Sequence, residues 1–124
     1  MTEQSATPIV AEPVEVWFRL VKSADGYPKS QDWEELWSRP YGDVFVLESI
    51  PFFENRVSRG DVIKVSRHEE GFLQFDSVVS RSGHSTFRVL INPEQTKAAQ
   101  VMAELKELGA DSELTLEDLI AVDV

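Results

Sequence analysis

Cysteine is absent from the 124 residues, so no disulfide can staple the fold and no thiolate can bind zinc. That fits a reducing cytosol. Histidine is nearly absent as well: His68 and His84 stand sixteen positions apart, which matches no zinc spacing, and neither a metal nor an organic cofactor is expected. No apolar run approaches the roughly 18–20 residues that a membrane helix needs. The opening MTEQSATPIVAEP holds acids and prolines without a basic stretch leading into an apolar one, so a secretory signal is not expected. Bases are scarce: 12 Lys and Arg face 22 Asp and Glu, for a net charge of −10. A chain this acidic repels a phosphate backbone, which argues against nucleic-acid partners. The expectation is a soluble, cytoplasmic protein.

What is present suits one domain, with residues 1–13 as a loose tail and 14–124 as the folded unit. The apolar fraction of 42% is too high for disorder, and a domain of this size buries roughly two-thirds of the surface its unfolded chain exposes. Charge is spread unevenly. Residues 1–55 carry ten acids and four bases, 56–92 four acids and six bases with both histidines, and 93–124 eight acids and two bases. The acidic ends suit a basic protein partner, because complementary fields speed encounter and set orientation. The same acidity also simply keeps a small protein in solution.

Val14, Val16, Phe18 and Leu20 alternate with Glu15, Trp17, Arg19 and Val21, the period of a strand with one face on a core. Asp25-Gly26-Tyr27-Pro28 reads as a turn. Asp32 with Glu35 three residues on reads as a capping box opening a short helix, in which Trp33, Leu36 and Trp37 share a face until Pro40 stops it. Strands are expected at 43–49, 62–67, 72–80 and 84–91, separated by an apolar corner at 50–53 and by glycine turns; Arg59-Gly60-Asp61 is one such turn. Asn92, Pro93 and Gln95 look like the start of a long helix whose stripe is Ala98, Val101, Met102, Leu105 and Leu108, ended by Gly109. Strands at 112–116 and 119–124 follow, with a helical turn over 116–120 as the alternative. The fold class is therefore α+β: a curled, mostly antiparallel sheet or partial barrel with one short and one long helix, ending in a strand-helix-strand-strand unit.

Several segments in order carry a resemblance: Val16-Trp17-Phe18-Arg19-Leu20, Glu35-Leu36-Trp37, Ile50-Pro51-Phe52-Phe53, Val57-Ser58-Arg59-Gly60-Asp61-Val62, Ser82-Gly83-His84-Ser85-Thr86 with Arg88-Val89, and Ile120-Ala121-Val122-Asp123-Val124. Together they resemble a bacterial family known as domain of unknown function 4265, across Val16 to Val124. The resemblance implies small bacterial proteins and supports the domain boundary. It brings no activity and no catalytic residue with it.

Two groups of residues are candidates for function. Ser82, Gly83, His84, Ser85 and Thr86 lie between Arg81 and Arg88, where a glycine turn can offer backbone N–H groups and arginines to a small anion or nucleotide. A serine and a histidine here also suit a weak hydrolase if Asp61 or Asp76 orients the imidazole, although no G-x-S-x-G elbow is present. The same hydroxyls equally suit a plain turn. The second group is acidic: Glu104, Glu107, Asp111, Glu113, Glu117 and Asp118, with Trp17 as an aromatic anchor if the outer face of its strand is open to water. This group favours a non-catalytic protein-interaction module, such as an immunity- or antitoxin-like inhibitor of a basic protein, over the anion-binding alternative.

Overall fold

The structure is a computed structural model and describes residues 11–29, 31–115 and 118–124. The alternation at the start of the chain produces β1 (Val14–Arg19), with Val16 and Phe18 fully buried and Glu15 and Arg19 outside. Its antiparallel partner is β2 (Trp33–Tyr41), in which Val16 faces Leu36 and Trp17 faces Glu35. This overturns the short capped helix: Glu34, Leu36 and Ser38 point inward while Trp33, Glu35 and Trp37 point outward, a period of two. The residues of the expected capping box serve elsewhere. The Asp32 carbonyl accepts the Leu20 N–H at 2.8 Å and its carboxylate pairs with Lys22. Glu35 lies against Glu15, and the hydrogen bond and the repulsion between the two push its carboxyl above the ordinary range.

β3 (Val44–Leu47), β4 (Val62–Arg67) and β5 (Leu73–Ser80) continue the antiparallel order. Register shifts within the β4–β5 ladder at Val62/Ile63 and Lys64/Val65 bend the sheet. It curls until β1 meets β5 at one parallel pair, Trp17 with Gln74, giving a five-stranded partial barrel. Inside it pack Val16, Phe18, Leu36, Leu47, Val57 and Ile63, with Phe75 stacked on Phe18 at 4.7 Å. Each such side chain taken from water contributes roughly 1.5–3 kcal/mol, so this core is the main source of stability.

The C-terminal unit follows the expected order: β6 (Thr86–Leu90), α1 (Ala98–Glu107), β7 (Asp111–Leu114) and β8 (Leu119–Asp123). β8 is central, antiparallel to both neighbours, and buried throughout. Ile120 and Val122 join Ile91 and Ala110 beneath Ala98, Val101, Met102 and Leu105 of the helix. Ala121 and Asp123, on alternate positions, face the other way, and Asp123 reaches Arg59 beside β4. The helix begins five residues later than its sequence suggests. Asn92 caps a separate turn instead, accepting the Glu94 N–H on Oδ1 and those of Gln95 and Thr96 on its carbonyl. Leu108 lies outside the stripe, 83% exposed. Among the described residues there are eight strands and this one helix, and no helix is long and apolar enough to cross a membrane.

Candidate functional site

The segment between Arg81 and Arg88 is the seam between the partial barrel and the C-terminal sheet. Asp61, 1% exposed, accepts the N–H groups of Ser58 at 3.0 Å and Ser82 at 2.8 Å, with Arg81 at 3.4 Å. Burial raises its carboxyl, but these amides and the arginine outweigh burial and hold it below the ordinary range. The Ser82 hydroxyl donates to the Arg59 carbonyl at 2.8 Å and accepts the His84 N–H at 3.1 Å. Gly60, at φ +89°, passes so close beneath that a Cβ there would meet Ser82 Cβ at 2.9 Å. Thr86 and Ser58 share a hydroxyl–hydroxyl bond of 2.7 Å, and Ser85 exchanges backbone bonds with Val124.

His84 meets neither of the acids proposed to orient it. Its Nδ1 lies 2.9 and 3.0 Å from the two carboxylate oxygens of Asp123, whereas Asp76 accepts the Ser66 hydroxyl across the β4–β5 ladder. Asp123, 4% exposed, also takes Arg59 Nη2 at 2.6 Å, and the same nitrogen reaches Asp111 at 2.6 Å. Ser82 is thus bonded to backbone groups, and the histidine–carboxylate pair lies beside it without including it. Arg81 and Arg88 do not converge. Arg81 donates to the Arg56 carbonyl, while Arg88 donates Nη2 to the carbonyls of Pro51 and Glu54. Burial depresses the Arg88 pKa, partly offset by the charges of Glu34 and Glu54.

The acidic group is dispersed in a different way. Glu104 and Glu107 lie exposed on α1, and Glu113 is exposed on β7. Asp111 is held by Arg59 and then by Lys106, which keep its carboxyl below the ordinary range. The Asp118 carbonyl accepts the Ile91 N–H, and Glu117 lies outside the described residues. Trp17 is half-buried, edge-on to Trp33 at 6.4 Å and against Phe72 at 5.3 Å. Arg19 lies over the Trp33 ring at 5.5 Å and His68 stacks on Phe72.

Trp37, like Tyr27, Tyr41 and Phe87, is an exposed aromatic. It is 50% exposed and stands in a shallow cleft of about 380 Å³ with Pro13, Glu48, Ser49 and Glu113. Its backbone is fixed: Ser49 Oγ accepts its N–H at 2.8 Å, and its carbonyl accepts the N–H groups of Glu48 and Ser49. The alternation of Trp33, Glu35 and Trp37 against Glu34, Leu36 and Ser38 was the signal that could have found it.

Among the described residues no group of three or more acids and histidines is placed to hold a metal ion. A crystal structure of a hypothetical protein from Neisseria gonorrhoeae is similar, with a TM-score of 0.68 at 18% identity, covering 89% of this chain and 75% of that one; at that identity the likeness shows the fold alone. No curated protein matches. The family model described as Domain of unknown function (DUF4265) matches residues 34–124, so the chain belongs to that family.

Proposed function

We propose that this protein is a non-catalytic, cytoplasmic interaction module that docks on a basic protein, in the manner of an immunity- or antitoxin-like inhibitor. The observation that carries the reading is Trp37: a half-exposed tryptophan with its backbone fixed by Ser49, sharing a cleft with Glu48 and Glu113. Tryptophan is among the residue types most enriched at interface anchors, and Glu113 in the same cleft suits an arginine or lysine laid over its ring. Glu113 also borders a second cleft of about 500 Å³ between α1 and β7, so the acidic C-terminal surface and the tryptophan adjoin. The net charge of −10 would steer a basic partner toward this side. The non-catalytic part of the reading is supported by Ser82, whose hydroxyl is taken up by backbone groups.

Affinity capture from a lysate of the native host, at low and high salt, tests the reading with wild type, Trp37→Ala and Glu113→Gln. A single basic protein bound at low salt and released at high salt is expected, with capture at least tenfold weaker for Trp37→Ala and a flatter salt dependence for Glu113→Gln. Salt-insensitive capture, or equal capture by the Trp37 variant, would sink it.

A further inference from the structure

Arg88 is a cation without a counter-ion. It projects from β6 into the space between residues 21–28 and the corner at 50–55. Its Nη2 is held by the carbonyls of Pro51 and Glu54, and its Nε is buried with no hydrogen-bond partner. Among the described residues no carboxylate lies within ion-pair distance of its guanidinium. The two nearby acids are committed elsewhere. Glu34 accepts the N–H groups of Phe52, Phe53 and Glu54 at 2.7, 3.1 and 2.7 Å, and Glu54 grips Arg56 through both oxygens. A half-buried guanidinium whose direct contacts are carbonyl dipoles is costly, and burial depresses its pKa, an effect that the more distant charges of Glu34 and Glu54 offset only in part.

Beside this guanidinium lies a cleft of about 340 Å³, walled by Tyr27, Pro28, Phe52 and Phe53, with Lys22 and Arg88 as its cations. The Tyr27 and Phe53 rings stand 6.4 Å apart. Lys22 is engaged by the Pro28 and Gln31 carbonyls and by Asp32, so one uncommitted positive group remains. The volume is at the small end for a ligand site. One cation set among flat apolar walls matches a single negative charge on a planar apolar body, and it is too little charge for a polyphosphate.

The geometry points to a binding site for a small aromatic monocarboxylate, its carboxylate on Arg88 and its ring laid against the Tyr27–Phe53 pair and Phe52. This narrows the anion site expected over Arg81–Arg88 to Arg88 alone, and it does not depend on partner docking at Trp37.

Benzoate titrated into the full chain and followed by amide and arginine Nε–H chemical shifts provides the test, with benzamide and inorganic phosphate as controls. Saturable benzoate shifts confined to residues 22–28, 52–55 and Arg88 are expected, with benzamide at least about tenfold weaker. Arg88→Met should abolish the shifts, and Arg88→Lys should weaken binding about tenfold through loss of the planar fork. Tyr27 is 55% exposed, so Tyr27→Ala should weaken binding in a protein that still folds even if the Arg88 variants do not. Benzamide binding as tightly as benzoate, unchanged binding by Tyr27→Ala, or phosphate binding in place of benzoate would each overturn the assignment.

Discussion

Replacing Asp123 with alanine removes the one carboxylate that ties β8 to the partial barrel. It sits 4% exposed between Arg59 Nη2 at 2.6 Å and His84 Nδ1 at 2.9 Å. Breaking a fully buried ion pair costs about 3–5 kcal/mol, because the survivor is left uncompensated. Here the survivors are better placed. Arg59 keeps Asp111, and the Arg59 and His84 side chains are 31% and 44% exposed, so water can take over part of their solvation. The expected loss is therefore about 2–3 kcal/mol, read by urea unfolding with an unchanged m-value. At about 3–5 °C per kcal/mol for a chain of this size, the melting temperature should fall by about 6–15 °C. Asp123→Asn keeps an acceptor for one of the two donors and should lose about half as much. Adding Arg59→Met to Asp123→Ala should cost less than the sum of the two single changes, since the Arg59–Asp123 contact that each removes is then lost only once. A loss below about 0.5 kcal/mol for Asp123→Ala would refute the claim that this seam holds the two sheets together.

Gly60→Ala should destabilise by about 1–3 kcal/mol, since the residue lies at φ +89° and the new methyl would press on Ser82 Cβ at 2.9 Å; equal stability in thermal unfolding would show that the turn relaxes freely. Asp61 sets an acid limit. Its carboxyl is held below its ordinary 3.8 in the folded state, so the stability it contributes is present above about pH 4 and lost as pH falls through the lower folded value. Unfolding free energies measured from pH 5 to pH 2 should therefore drop less steeply for Asp61→Asn than for wild type, from a lower starting point, and parallel curves would contradict the linkage.

Reading the sequence alone succeeds where one period dominates and fails where two agree. β4 has the expected bounds, and the alternation of Val16 and Phe18 is the buried face of β1. At residues 33–37 the apolar positions fit a helix as well as a strand, and the polar residues decide. Glu34 looks like a helix-surface residue, yet it is buried so that its carboxylate can gather three amides from a corner some twenty positions away. No local pattern announces that arrangement. The start of α1 misleads for a related reason: Asn92 and Pro93 make a good cap, but they cap a turn. The seam is less visible still. Arg59 finds Asp111 across 52 positions and His84 finds Asp123 across 39, pairings set by how the two sheets stack. Arg81 and Arg88, close in sequence, part because one leaves a turn while the other points off a strand.

The outer face of the barrel shows the proposed recognition chemistry already at work within the chain. Trp17, Trp33 and Trp37 all point away from the core, on neighbouring strands. At Trp33 a guanidinium, that of Arg19, lies over the ring at 5.5 Å, and Phe72 and His68 close the cluster. At Trp37, among the described residues, no arginine or lysine covers the ring; Glu48 and Glu113 border it instead. Glu48 already holds Arg39 through both oxygens, so Glu113 is the carboxylate of this cleft left to attract a further cation. An arginine supplied from outside would meet at Trp37 the arrangement that Arg19 meets at Trp33, with the added attraction of Glu113. Under the proposed reading that parallel separates the two tryptophans: the Trp33 cluster holds its own cation, and Trp37 would take one from a partner.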